Sequence, residues 1–203
     1  NGAPLLLINP PTSFFFRSEQ QVTSKEGLNA YGAATWGQFF VYQGFNERTG
    51  WMHTSSGVDN VDEFAQKVEK SGNGYCYRYG KDCRGLARSK VTIRYRASNG
   101  SLASRSFTTW QSHRGPVVGE ANGRWISFAM MDKPVAALQQ SFLRTKTRDL
   151  KDFLKVANLQ ANSSNNTIFA SRKSEIAYIH PQFLPRRDGR FDYTKPVDGR
   201  DPA

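Results

Sequence analysis

Several stretches of this chain alternate apolar and polar residues with period two, and others are short apolar runs bounded by turn residues, both of them strand patterns. "PLLLI" (4–8) is an apolar run of strand length, ended by Pro10 and Pro11. "SFFFRSEQQV" (13–22) continues as extended chain. "GLNAYGAATWGQFFVYQGF" (27–45) is aromatic and punctuated by glycine, which suits strands and turns. Further on, "KVTIRYRA" alternates Val91, Ile93 and Tyr95, "SRSFTTWQSH" carries Phe107 and Trp110, and "RWISFAMM" is almost wholly apolar.

The period changes in three places. In "DNVDEFAQKVEK" (59–70), Val61, Phe64, Ala65 and Val68 fall at helical spacing, with Asp59 or Asn60 as the N-cap. "PVAALQQSFLRTK" (134–146) has Pro134 in its first turn and Val135, Leu138 and Phe142 on one face. "TRDLKDFLKVANLQ" (147–160) is read as capped by Thr147 and burying Leu150, Phe153, Leu154 and Ala157. A hairpin closes the series. Thr167, Phe169 and Ser171 point one way and Ile168 and Ala170 the other, then Ile176, Tyr178 and His180 alternate. Strands followed by helices predict an α+β fold with a mostly antiparallel sheet. Amide side chains are poor strand formers, so the pair Asn165-Asn166 at the mouth of the hairpin calls for another reason.

The length, 203 residues, suits one domain (1–203) or a large piece of one. A 38% hydrophobic, 13% aromatic composition supports a real core and excludes a disordered chain. No apolar run approaches the roughly 20 residues of a membrane span, and no signal peptide, repeat or low-complexity segment is evident. The chain opens on "NGAPLLLINPP" without an initiator Met and closes on "VDGRDPA", so both ends read as cuts in something longer.

The net charge of +11 is uneven: residues 1–70 hold five basic and seven acidic residues, residues 71–203 hold 23 and 10. A basic half admits nucleic acid as a partner. The cations are scattered, however (Arg78, Lys81, Arg84, Arg88, Lys90, Arg94, Arg96), as on the polar face of a half-exposed sheet. Cys76 and Cys83 lie in "GYCYRYGKDCRG" with no His beside them, too few ligands for a metal. A disulfide, if the protein is exported, and two free thiols are both open.

Standard catalytic motifs are missing. His53, His113 and His180 permit a Ser-His-Asp triad on paper, but there is no nucleophile elbow, zinc-protease helix or P-loop. Asn99, Asn162 and Asn165 begin N-x-S/T triplets, which are common by chance. Asp59 and Asp62 read either as helix caps or as two carboxylates that, with the Val61 carbonyl, offer oxygens to Ca²⁺.

Three blocks in register carry a resemblance. "GFNERTGWMHTSSGVDNVDEF" (44–64) is similar to the penicillin acylase (penicillin amidase) pattern G-H-N-x-x-x-x-W-x-x-T-x-x-G-x-D-x-x-D. "SHRGPVV" (112–118) and "NNTIFASRKSEIAYIHPQFLPRR" (165–187) resemble two later blocks of that family, near the start of its β chain. The resemblance implies an N-terminal nucleophile hydrolase with a four-layer αββα sandwich of antiparallel sheets, present here as a fragment. It implies an exported (periplasmic or secreted) precursor that cleaves itself, a partner α chain from that precursor, and a small acyl-amide substrate of penicillin, acyl-homoserine lactone or acyl-peptide type. The exposed N-terminal Ser would act as nucleophile with its own α-amine as base.

Residue by residue, the resemblance assigns Asn166 and the Ser55 backbone N–H to the oxyanion and Arg187 to ordering of the catalytic site. It assigns Thr12, Gln43 and His53 to substrate binding, and Asp59, Val61 and Asp62 to Ca²⁺. The nucleophilic Ser is expected about a dozen residues before Asn1, so this chain on its own is expected to be inactive. Pro11 or Thr12 replaces a polar residue of the family. Ser171 stands for an Asp, and Ser174-Glu175 for Gly-Asn. Two alternatives remain: a family member that only binds, and a basic nucleic-acid-binding domain.

Overall fold

A computed structural model describes residues 3–9, 13, 15–161 and 165–202. In chain order its elements are β1 (Arg17–Thr23), β2 (Asn29–Thr35), β3 (Gln43–Asn46), β4 (Thr49–Ser55), β5 (Asp62–Gln66), β6 (Val68–Ser71), β7 (Gly74–Tyr79), β8 (Asp82–Gly85), β9 (Ala87–Arg96), β10 (Leu102–Ser112), β11 (Gly115–Ala121), β12 (Arg124–Ala129), α1 (Pro134–Arg144), α2 (Leu150–Ala157), β13 (Asn165–Ser171), β14 (Ile176–Ile179) and β15 (Val197–Asp198). They form two compact units, one of residues 1–60 and 131–184, the other of residues 61–130 and 185–203.

The first unit is an antiparallel sheet in the order β1-β2-β3-β4-β13-β14, backed by helices. Its core is Ala30, Val41, Trp51, Phe153 and Phe169, all buried, with Leu150, Ala177 and Ile179 packed around them. Phe153 of α2 lies 4.8 Å from the Phe169 ring of β13. Burying a side chain of that size stabilises by roughly 1.5–3 kcal/mol. The centre of the sheet is tight. Gly32 and Gly44 are cross-strand partners, and a Cβ on Gly44 would lie 2.2 Å from the Tyr31 carbonyl oxygen. On the opposite face Phe45, Ile168, Ile176 and Tyr178 are exposed.

The second unit has a sheet in the order β15-β5-β12-β11-β10-β9 and a three-stranded sheet β6-β7-β8. Asn122 and Gly123, both at positive φ (52° and 71°), turn β11 into β12 in the manner of a two-residue hairpin loop. Cys76 and Cys83 form a disulfide between β7 and β8, which decides between the two states the sequence left open. β9 and most of β10 run as a ribbon exposed on both faces, so the basic residues of β9 do not cover a half-buried sheet.

Four expectations change. Residues 59–70 are two strands and no helix. β5 buries Asp62, Phe64 and Gln66 and exposes Glu63. Two of the three inward residues are polar, which hides the period of two. Residues 4–8 keep alternating exposure but join no sheet among the described residues. Leu6 packs over Gly50, while Leu5 and Leu7 are exposed. The first helix forms, but Val135 and Leu138 are exposed and its buried residues are Gln140 and Arg144. The second is capped by Asp149, whose carboxylate accepts from the Asp152 N–H at 2.9 Å. Thr147 instead donates to the Arg144 carbonyl, and Leu154 is exposed.

Candidate active site

β4 and β13 run antiparallel in the middle of the first unit, pairing Ser55 with Asn165, Thr54 with Asn166 and His53 with Thr167. Directly opposed residues share a face, and neighbours along a strand point apart. His53, Ser55, Asn165 and Thr167 therefore project on one face, the face that also carries Trp51 and Phe169. Thr54 and Asn166 project on the other. Two adjacent asparagines at the strand start thus serve two different environments.

Asn166 is 7% exposed. Its Oδ1 accepts from the Gln182 Nε2 at 2.7 Å. That bond occupies the carbonyl end of the amide and turns its NH₂ away from Gln182. Ser55 ends β4 and is exposed, so its backbone lies at the strand terminus beside the β13 start.

The helix-facing side holds a buried polar cluster. His53 is 3% and Arg144 4% exposed, with Thr167 also buried. Arg144 reaches in from the last turn of α1 and donates through Nη1 to the His53 Nε2. The other ring nitrogen, Nδ1, is 2.9 Å from the Thr167 Oγ1. Burial, then the Arg144 and Arg17 charges, push the His53 pKa well below its ordinary value. Burial also lowers that of Arg144 to about 10.

Gln43, buried on the other face of the sheet, meets the cluster at the backbone of His53. Its Nε2 donates to the His53 carbonyl at 2.6 Å, and its Oε1 accepts from Arg17 at 2.8 Å. Both cations lie over the Tyr42 ring, Arg17 at 5.0 Å and Arg144 at 5.6 Å from its centroid. Burial raises the Tyr42 pKa against the pull of these charges. The Tyr42 hydroxyl accepts from the Asn165 Nδ2 at 2.5 Å.

In the second unit Arg187 grips Asp62. Its Nε and Nη2 both lie on the Asp62 Oδ1, at 2.9 and 2.7 Å. The guanidinium also lies over the Tyr193 ring, 5.2 Å from its centroid.

The sequence assignments therefore divide. Asn166, Ser55, Gln43, His53 and Asp59 belong to the first unit, and Val61, Asp62 and Arg187 to the second. His53 is buried on the face opposite Asn166, whereas Gln43, two residues before Phe45 in β3, is buried on the same face of the sheet as Asn166. Thr12 and Pro11 lie outside the described residues, as does Asn162. For calcium, Asp59, Asp62 and the Val61 carbonyl supply three of the six to eight oxygens such an ion takes. Asp62 is already neutralised by Arg187. No cluster of three or more His, Cys, Asp or Glu suited to a metal occurs among the described residues.

Sequence reasoning missed Tyr42, Arg144, Arg17, Thr167 and Gln182. The one available signal was the spacing of Gln140 and Arg144, four apart and so on one helix face.

The defining pattern of the penicillin amidase family matches residues 1–203. The chain belongs to that family. It is 26% identical over 185 residues to penicillin G acylase of Escherichia coli, a match covering 85% of this chain and 21% of that protein. It is 30% identical over 202 residues to the acyl-homoserine lactone acylase PvdQ of Pseudomonas putida, covering 93% of this chain and 26% of the relative. Among solved structures, a thermostable penicillin G acylase from Alcaligenes faecalis superposes with a TM-score of 0.77 at 25% identity, covering 92% of this chain and 33% of that one. The likeness gives the N-terminal nucleophile hydrolase fold, seen here as an α+β fragment. The chain spans about a fifth to a quarter of the length of these relatives. No helix among the described residues is long and apolar enough to cross a membrane.

Proposed function

We propose that the full-length protein is an amidohydrolase that cleaves a linear acyl amide through a serine outside these 203 residues. The observation that carries the reading is the Asn166 amide. It opens β13, is nearly buried, and is held by its carbonyl end. A neutral amide donor of this kind suits a developing oxyanion, because it supplies a hydrogen bond without a titrating charge.

In this reading the serine hydroxyl attacks the amide carbonyl carbon and its proton passes to the serine's own α-amine. Asn166 Nδ2 and the Ser55 N–H stabilise the negative oxygen. The C–N bond then breaks, the leaving amine takes the proton, and water releases the acid from the acyl-serine by the same steps. Arg187 keeps its neighbourhood ordered through Asp62. A calcium ion at Asp59, Val61 and Asp62 would need further oxygens from the rest of the protein. The Cys76–Cys83 disulfide supports an exported protein, and an α chain from the same precursor completes the enzyme. Substrates are of the type the relatives' names give, a penicillin or an acyl-homoserine lactone.

The test is amine release from penicillin G and from an acyl-homoserine lactone by the full-length, processed protein, with mass spectrometry for an acyl-serine. Turnover of either supports the proposal. Absence of both turnover and acylation leaves a protein that only binds.

A further inference from the structure

We propose that Gln182 is a positioning residue that sets which end of the Asn166 amide faces the reacting carbonyl; this rests on Asn166 being the oxyanion donor.

Strand geometry fixes the direction of the Asn166 side chain but not its flip. Rotation about the last torsion exchanges Oδ1 and Nδ2 almost isosterically, and that torsion has two broad wells. The two orientations have opposite chemical consequences. With Nδ2 toward the substrate, the developing oxyanion gains a donor. With Oδ1 there, it meets lone pairs. Something must bias the flip. Gln182 follows β14 after Pro181 and returns to place its Nε2 2.7 Å from the Asn166 Oδ1. By donating to the carbonyl end it leaves the NH₂ end for the site. The reversed pair, with Asn166 donating to Gln182, has equally good geometry, so Gln182 acts as a two-state selector. The side chain is half-buried, which limits competition from water.

The discriminating variants change donor and acceptor character at near-constant shape. In the full-length enzyme, Gln182→Glu places an acceptor-only carboxylate beside Asn166. The Asn166 NH₂ then turns to the carboxylate and its oxygen to the substrate. The kcat relative to the parent falls toward the 10²–10³-fold loss of Asn166→Ala, with KM little changed. A protonated Glu donates again, so this ratio recovers as pH is lowered toward the carboxyl range, about 4.3. Gln182→Leu, which only removes the bias, costs about 2- to 12-fold with no pH dependence of the ratio. Gln182→Lys, donor only, keeps kcat within about that same range. It also serves as the test if Gln182→Glu fails to fold, which its melting temperature reports.

A Glu-to-parent ratio independent of pH, or a loss in Gln182→Lys as deep as in Asn166→Ala, overturns the inference. If Asn166→Ala is still strongly impaired in that case, the oxyanion assignment itself stands. Full activity in Asn166→Ala overturns both.

Discussion

His53 of β4 and Arg144 of α1, far apart in sequence, meet inside the first unit, the imidazole Nε2 accepting from the guanidinium. The imidazole Nδ1 lies 2.9 Å from the Oγ1 of Thr167, the residue next to Asn166. A cation buried beside a histidine is costly unless both are hydrogen-bonded. Here the Tyr42 ring lies beside the charge and Ser141 takes a second Arg144 bond at 2.9 Å.

This contact makes stability depend on pH. The folded His53 pKa lies well below 6.5, whereas the unfolded chain takes up a proton near 6.5. Below about pH 6.5 the unfolded state therefore binds more protons, and stability falls as pH falls, by up to about 1.4 kcal/mol per unit for this group. Above about pH 6.5 the contribution is complete. Melting temperatures of parent and His53→Asn across pH 5–8 check this as the difference in their slopes. Parallel curves would remove His53 as the source.

Arg187→Ala is expected to destabilise by about 3 kcal/mol, the low end for breaking a buried pair. The Asp62 side chain is 8% exposed and would be left unpaired, while Arg187 is 25% exposed. Arg187→Lys should cost less, since it keeps the charge and loses the two-nitrogen contact. Chemical denaturation distinguishes the two. Equal losses would mean that the shape of the guanidinium matters more than its charge.

Ser174→Gly is expected to stabilise by about 0.5–1 kcal/mol, the left-handed cost to a residue with a Cβ less the extra backbone entropy that glycine loses. Ser174 sits at φ 62°, a left-handed conformation that costs a residue with a Cβ. A melting temperature unchanged or lowered would mean that the serine side chain offsets the backbone cost.

Alternation was enough for β9, β10 and the hairpin of β13 and β14, and short extended, aromatic or apolar runs marked β1, β2 and β12. It also gave the opposed directions of Asn165 and Asn166. It failed where inward positions are polar. Asp62 and Gln66 in β5 and Gln140 and Arg144 in α1 are buried against distant polar partners: Arg187, Ser127, the Ala161 N–H and His53. A local pattern reports hydrophobicity, and these contacts span up to 125 residues. Residues 4–8 failed for another reason. Strand character needs a neighbour, and none pairs with them among the described residues. Gln182 and Tyr42, which hold the two asparagines from opposite sides, carried no signal of their own.

The central claim is that Asn166, and not its neighbour, serves the reacting carbonyl. The most direct test is kcat of Asn166→Ala and Asn165→Ala in the full-length, processed enzyme. The two residues share chemistry and differ in direction. Asn166→Ala is expected to lower kcat by roughly 10²–10³ with the melting temperature nearly preserved. Asn165→Ala, which loses the bond to Tyr42 on the other face of the sheet, should lower kcat much less. Equal losses at both positions, or a large loss at Asn165 alone, would contradict the account.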